Sequence, residues 1–210
     1  MTDQTPLEHW NGRYVKEGYL FGEEPNAFLK SQAHRLAPGQ RALALADGEG
    51  RNGVFLAGEG LDVLSVDFSP VALEKARRLA ARKGVALETR TVDLYRWEFE
   101  EAAFDVVAAI FIQFAPPPER ARIFDGIKRA LKPGGLLIMQ GYRPKQVEYK
   151  TGGPPQAENM YTEDLLREAF GEFEILHLEE HDDVIEEGSG HSGLSALIDL
   201  VARKPASPSG

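Results

Sequence analysis

The chain has 210 residues, 42% of them apolar and 27% charged, carries a net charge of −9 and contains no cysteine. These figures suit one globular domain with a buried core, and they exclude disulfides, thiolate nucleophiles and cysteine-ligated metals. An acidic balance with no basic block argues against nucleic acid as a partner.

The N-terminus, Met1-Thr2-Asp3-Gln4, lacks the basic and apolar regions of a signal peptide, and no apolar run approaches ~18 residues. A cytoplasmic protein without a membrane span is therefore expected. Its expected partner is a small molecule, and its expected state a monomer or weak homodimer. Residues 1–204 are expected to form one unit, with a helical cap over 1–40, a core over 41–204 and a frayed tail over 205–210.

In chain order, Leu7, Trp10 and Tyr14 at helical spacing predict a helix over 6–17. A second helix is predicted over 27–36, stopped by Pro38-Gly39. A strand over 41–46 leads into a glycine-rich turn and a helix-like segment over 54–60. A strand over 62–66 follows. Ser69-Pro70 gives an N-cap and a proline at the first helical position, and that helix ends near Gly84. Strands are predicted over 86–92 and 104–111, the latter a nearly unbroken apolar run of the kind buried on both faces. A helix over 119–131 stops at Lys132-Pro133-Gly134-Gly135 and turns into a strand over 136–142. A helix begins at Thr162 and runs to Phe170, and strands over 173–180 and 194–202 close the chain. This order predicts a doubly wound, Rossmann-like α/β sheet of seven strands, mostly parallel with an antiparallel strand near the C-terminus.

The unit from Arg41 to Asp67 carries most of the functional information. It reads as strand, glycine loop (Gly48, Gly50, Gly53), helix, strand and acid. A glycine loop lets backbone approach a ligand without a Cβ in the way, and an acid closing the second strand can accept ribose hydroxyls. The glycines fit a dinucleotide such as NAD and also fit S-adenosylmethionine. Asp47, directly before Gly48, would repel a pyrophosphate but suits a cationic sulfonium or amino group. Val92-Asp93-Leu94 at the end of the next strand suits adenine.

Gly48-Glu49-Gly50-Arg51-Asn52, Val66-Asp67-Phe68-Ser69, Val92-Asp93-Leu94, Phe104-Asp105-Val106-Val107 and Leu131-Lys132-Pro133-Gly134-Gly135 together resemble class I S-adenosylmethionine-dependent methyltransferases. Trp10-Asn11, Tyr14, Tyr19, Phe21-Gly22 and Pro25-Asn26 resemble the N-terminal segment of the small tellurite-resistance and thiopurine-methyltransferase branch. The resemblance implies that Asp47, Gly48 and Gly50 line the methionine portion, with Arg51 and Asn52 near its carboxylate. It implies Asp67 on the ribose, Phe68 beside the adenine, Asp93 and Leu94 on the adenine, and Phe111 near the sulfonium. The chain departs from the family at Ala44, where an acid is usual, and at Ala46, where a glycine is usual. The implied activity is methyl transfer to a small acceptor, with a thiol or a selenium or tellurium oxyanion favoured because such soft nucleophiles need no base. An NAD-dependent oxidoreductase and a non-catalytic binding protein are the alternatives.

The substrate end is expected outside the carboxyl ends of the strands. Candidates there are Trp10, Tyr14, Tyr19, Gln113, Phe114 and Tyr142, with residues 146–160 as a lid. No catalytic residue and no metal ligand is assigned. Each role has a plainer alternative. Asp67 also reads as a helix cap, Asp93 as a turn residue, Arg51 as a surface charge, and Phe68, Phe111, Trp10 and Tyr14 as packing. His191, in a glycine-rich loop, reads as solvated, with substrate contact as the alternative. Asp182, Asp183, Glu186 and Glu187 read as a solvated acidic rim.

Overall fold

In the computed structural model, which describes residues 5–206, seven strands pair in the order β3-β2-β1-β4-β5-β7-β6. Strands β1 (Arg41–Leu45), β2 (Asp62–Asp67), β3 (Glu88–Thr91), β4 (Phe104–Ile110) and β5 (Leu131–Tyr142) run parallel. Strand β7 (His191–Arg203) is antiparallel both to β5 and to β6 (Glu174–Glu187). The α-helices among the described residues are α1 (Pro6–Tyr14), α2 (Ala27–Ser31), α3 (Arg51–Gly58), α4 (Pro70–Lys83), α5 (Pro117–Ala130), α6 (Gln146–Tyr149) and α7 (Glu163–Phe170). The α/β sheet expected from the sequence is the one observed.

Period-two alternation splits the core into two layers. Leu43, Leu45, Leu64 and Val66 meet Ile123, Phe124 and Ile127 of α5 and Leu166 and Phe170 of α7. Ala42, Ala44 and Val63 face the other way, onto Leu56 of α3 and Phe28 and Leu29 of α2. The small alanines of β1 leave room for these helices to approach. Local chemistry sets the helix ends. Ser69 Oγ accepts from the Ala72 amide at 3.1 Å, Pro70 opens α4, and Gly84 closes it with φ +71°.

Several boundaries differ from expectation: α1 ends at Tyr14 and not at 17, and α3 begins at Arg51 and not at 54. The helix expected over 27–36 ends at Ser31 and continues as a 3₁₀ turn, Ala33–Arg35. Strand β5 begins at Leu131, because Leu131 pairs with Phe104 before a register shift. The β6–β7 hairpin is much longer than expected, continuing to the pair Glu187↔His191. Its outer part has one face, Val184 and Glu186, open to solvent and the other, Ile185, Glu187 and His191, turned inward, and too few of these residues are apolar for the alternation to betray a strand. Asp182 and Glu186 fit the expected acidic rim in being exposed or half-buried, but Asp182 is paired to Arg143 and Lys145. No helix is long and apolar enough to cross a membrane, among the described residues. Of the expected frayed tail, residues 207–210 lie outside the described residues.

Candidate functional site

A cavity of about 520 Å³ opens at the carboxyl ends of the parallel strands. This is where an open α/β sheet reverses its winding and where its ligands bind. Of the expected cofactor residues, Asp47, Gly48, Arg51, Asn52, Asp67 and Phe68 line it, as do Asp93, Leu94 and Phe111. Gly50 does not line it. With φ +87° it forms the N-cap of α3, packed where any Cβ would come within 2.5 Å of Ala76 Cβ.

Asp67 ends β2 and is buried. Its Oδ2 accepts from the Gly48 amide at 2.8 Å and its Oδ1 from the Ser69 amide at 2.8 Å. Burial raises its pKa against these two bonds. An ionised carboxylate has about four acceptor positions, so Asp67 retains capacity for further donors. Asp47 is used differently from the expectation. Its Oδ2 accepts from Ser65 Oγ at 2.8 Å and from the Gly53 amide at 3.1 Å, beneath the first turn of α3. Burial pushes its pKa up to about 7, with the Asp67 charge adding to it and the Ser65 and Gly53 bonds opposing it. Asp47 thus braces the loop from inside.

Ala46 has φ +46°, a left-handed conformation that glycine adopts freely and alanine does not. The departure from the family noted at this position is therefore a residue holding a glycine's backbone geometry. Phe111, just past β4, has φ +54°. Its amide donates to the Gln140 carbonyl at 2.8 Å, and its ring lies 4.7 Å from Tyr142 and 4.5 Å from His191.

Arg51 is a buried, ion-paired residue and not a surface charge. Its Nη2 lies 2.6 Å from Glu187 Oε2, the two side chains being 8% and 10% exposed. Glu187 was expected on the solvated rim; the length of the hairpin carries it inward instead. Its Oε1 also accepts from Asn26 Nδ2 at 2.9 Å. Burial raises the Glu187 pKa, but His191 and Arg51 outweigh it and bring it down to about 2. Asn26 in turn donates its amide to Asn52 Oδ1 at 3.0 Å and its Nδ2 to Gln140 Oε1 at 2.6 Å.

His191 is likewise buried and not solvated. It lines the cavity, against Phe21 and Phe111. The sequence gives no sign of this, because Gly188-Ser189-Gly190 looks like a loop whether or not it docks. Here it docks on residues 20–22: the Gly190 amide donates to the Leu20 carbonyl at 2.9 Å.

Among the substrate candidates, Trp10, Tyr14 and Phe114 line the cavity, with Trp10 and Tyr14 stacked at 5.5 Å. Three others do not. The Tyr19 hydroxyl donates to the Lys75 carbonyl at 3.1 Å and packs the chain onto α4. Gln113 is buried and satisfied by the Tyr142 backbone, accepting from its amide at 2.5 Å and donating to its carbonyl at 2.6 Å. Tyr142 stands behind Phe111 and His191, with its hydroxyl enclosed and unpartnered. Residues 146–160, expected as a lid, do not line the cavity. Gln146 anchors them, its Oε1 accepting from the Ala196 amide at 2.8 Å. Tyr95 and Ile110 are cavity residues not singled out from the sequence, and Phe21 lines the cavity as well. Phe21 was legible as part of an aromatic N-terminal segment. No group of three potential metal ligands occurs among the described residues.

Residues 42–135 match the family model described as a methyltransferase domain. An uncharacterized methyltransferase of Synechocystis sp. is 32% identical over 119 residues, which are 56% of this chain and 54% of that protein. The chain spans well under two thirds of the length of the first curated relatives it matches. A solved structure described as "Conversion of a Disulfide Bond into a Thioacetal Group during Echinomycin Biosynthesis" superposes with a TM-score of 0.78 at 18% identity, covering 98% of this chain and 95% of that one. TehB from Haemophilus influenzae superposes with a TM-score of 0.70 at 18% identity, covering 94% of this chain and 66% of that one. The fold is that of the class I S-adenosylmethionine-dependent methyltransferases.

Proposed function

We propose that this chain transfers a methyl group from S-adenosylmethionine to a small, uncharged acceptor. One observation carries the proposal: Asp67 and Asp93, at the ends of the neighbouring strands β2 and β3, open into one cavity with Gly48 and the first turn of α3. Asp67 offers its remaining acceptor positions to ribose hydroxyls. Asp93 offers a carboxylate to the adenine amino group, with Phe68 and Leu94 against the ring. Arg51 and Asn52 present the start of α3 to the methionine carboxylate. When bound, the cofactor supplies an electrophilic methyl group. The chain's part is to align an acceptor and exclude water, and Trp10, Tyr14, Phe21 and Phe111 build an aromatic chamber suited to both.

The same features weigh against NAD. A pyrophosphate would bring two negative charges, where a methionine carboxylate brings one, to a site lined by Asp47 and Asp67 whose one lining guanidinium among the described residues, Arg51, is already paired with Glu187. They also favour a neutral acceptor such as a thiol over a selenium or tellurium oxyanion, since Arg51, the single cation lining the cavity among the described residues, is neutralised. The resemblance of Trp10–Tyr14 and Tyr19–Asn26 to the tellurite-resistance and thiopurine branch supports a small-molecule acceptor, with the chain acting as one unit over residues 1–204. Thermal melts with each ligand test the cofactor. S-Adenosylhomocysteine at ~100 times its Kd is expected to add about 2.7 kcal/mol, and NAD nothing. Stabilisation by NAD alone would overturn the proposal. Labelled S-adenosylmethionine with thiols, phenols, selenite and tellurite then identifies the acceptor.

A further inference from the structure

We infer that His191 is the proton acceptor of this reaction, positioned by Glu187, and that the methyl acceptor is accordingly a protic nucleophile, a thiol or an acidic hydroxyl. The inference rests on the methyl transfer proposed above and names the acceptor class for the same chamber.

His191 is the first residue of β7, and its ring closes the chamber beside Phe111 and Phe21, 4.5 Å from each. Its Nδ1 is enclosed and lies 3.5 Å from Glu187 Oε2, in ion-pair range but without hydrogen-bond geometry. Its Nε2 has no hydrogen-bond partner among the described residues and is not an enclosed atom, so in a residue that lines the cavity it is the nitrogen left accessible. A purely structural ring at this position gains nothing from two nitrogens. Burying a polar group without a full hydrogen bond costs free energy that phenylalanine would avoid.

The charged and titratable groups facing the ring come from four elements: Glu187 of β6, Arg51 of α3, Arg13 of α1 and Tyr142 of β5. Burial holds the His191 pKa below its ordinary value, with Glu187 opposing that and Arg51 and Arg13 adding to it. The ring is therefore neutral and able to accept a proton near pH 7, while Glu187 is ionised. Glu187 is itself fixed by Arg51 and Asn26, so its oxygen is held where a developing imidazolium needs it.

The step balances. His191 Nε2 takes the proton of the acceptor X–H, and the freed electron pair on X forms the bond to the methyl carbon. The carbon–sulfur bond breaks with its pair passing to sulfur, giving a neutral thioether. The imidazolium then releases its proton to solvent. Positioned proton acceptors contribute ~10²–10⁴-fold.

The test uses the full chain saturated with S-adenosylhomocysteine and two absorbance indicators, para-nitrophenol and thiophenol, each at a pH below its own pKa. Wild type is expected to ionise at least one on binding, and His191→Gln to reduce the ionised fraction about tenfold at unchanged S-adenosylhomocysteine affinity. In turnover, His191→Gln is expected to lower kcat by ~10²-fold for thiol or phenol acceptors. Dimethyl selenide, which has no proton to lose, should lose at least tenfold less of its rate than the protic acceptors do. Glu187→Gln should move the acid limb of kcat/KM to lower pH, since the imidazolium loses its counter-charge. Equal ionisation by wild type and His191→Gln, or a wild type that leaves both indicators protonated, overturns the role of His191 alone. Failure of wild type to bind S-adenosylhomocysteine overturns the methyl-transfer proposal with it.

Discussion

The Gly48 amide donates to Asp67 Oδ2 at 2.8 Å, so the glycine loop after β1 is tied directly to the last residue of β2. The second oxygen of Asp67 ties the Ser69 amide, one residue before α4 begins. One carboxylate thus sets the loop that would meet a cofactor and the start of the helix beside it.

Asp67→Ala is therefore expected to lose affinity and stability together. Cofactor binding should weaken by roughly 1.5–3 kcal/mol, the range for hydrogen bonds to a charged group. Two backbone amides left buried and unpaired should cost folding a further ~1–3 kcal/mol. Calorimetry with S-adenosylhomocysteine and a urea melt measure the two separately. The sequence alone suggests that a strand-end acid is indifferent to folding, and its burial reverses that expectation.

Asp47 predicts the pH dependence of stability. Its folded pKa, about 7, lies above the ordinary carboxylate value of 3.8, because it is buried. Between those values the folded state binds more protons than the unfolded one, so stability falls as pH rises from about 4 to about 7. Ionising a carboxyl displaced that far costs on the order of 4 kcal/mol. Asp47→Asn retains an acceptor for the Gly53 amide and should flatten this fall, gaining stability at pH 8. Denaturant melts of both proteins at pH 5 and pH 8 check the sign. Glu187 acts in a separate window: its folded pKa is depressed to about 2, so its contribution is present above pH 4.5 and lost as pH falls towards 2.

Lys75 of α4 binds the N-terminal segment to the glycine loop. Its Nζ lies 2.7 Å from Glu49 Oε1 and donates at 2.7 Å to the carbonyls of Lys16 and Gly18. Glu49 also accepts from the Leu20 amide at 2.6 Å. Lys75→Ala leaves the Glu49 carboxylate buried without its cation and should cost about 3–5 kcal/mol. Adding Glu49→Gln should recover part of that loss. Hydrogen exchange should show the amides of residues 16–22 opening in the single variant and partly reprotected in the double one.

Gly50→Ala should cost about 3 kcal/mol or more, since a methyl group would both collide with Ala76 and impose alanine on φ +87°. Ala76→Gly in the same chain removes the Cβ contact but leaves the 2.8 Å approach to the Cα of residue 76 and the unfavourable φ, so it should restore only part of the loss. A thermal melt showing the double variant fully restored would mean that backbone conformation contributes nothing there.

The parallel half of the sheet was legible because each of its signals is local. Ser69-Pro70 opens α4, Gly84 closes it, and the apolar run from Phe104 marks a strand buried on both faces. The same locality exposed Asp67 and Asp93, which end strands by their own sequence context. The antiparallel end was much less legible. Nothing near Glu187 announces Arg51, 136 positions away, and an outer ribbon whose inward face is built from Glu187 and His191 has no apolar alternation to read. Gln113 failed as a substrate residue for a related reason: its position after β4 was foreseeable, but not the Tyr142 backbone waiting for its amide.

The tip of the β6–β7 hairpin meets residues 20–22, where the Gly190 amide reaches the Leu20 carbonyl, and it carries Glu187 and His191 with it. Segments that are far apart in the sequence thus close one chamber together. A nascent chain can pair β1, β2 and β4 early, but Arg51 has no counter-charge until residue 187 has left the ribosome. Closure of this chamber thus waits on a long-range contact whose loop-closure cost slows its formation.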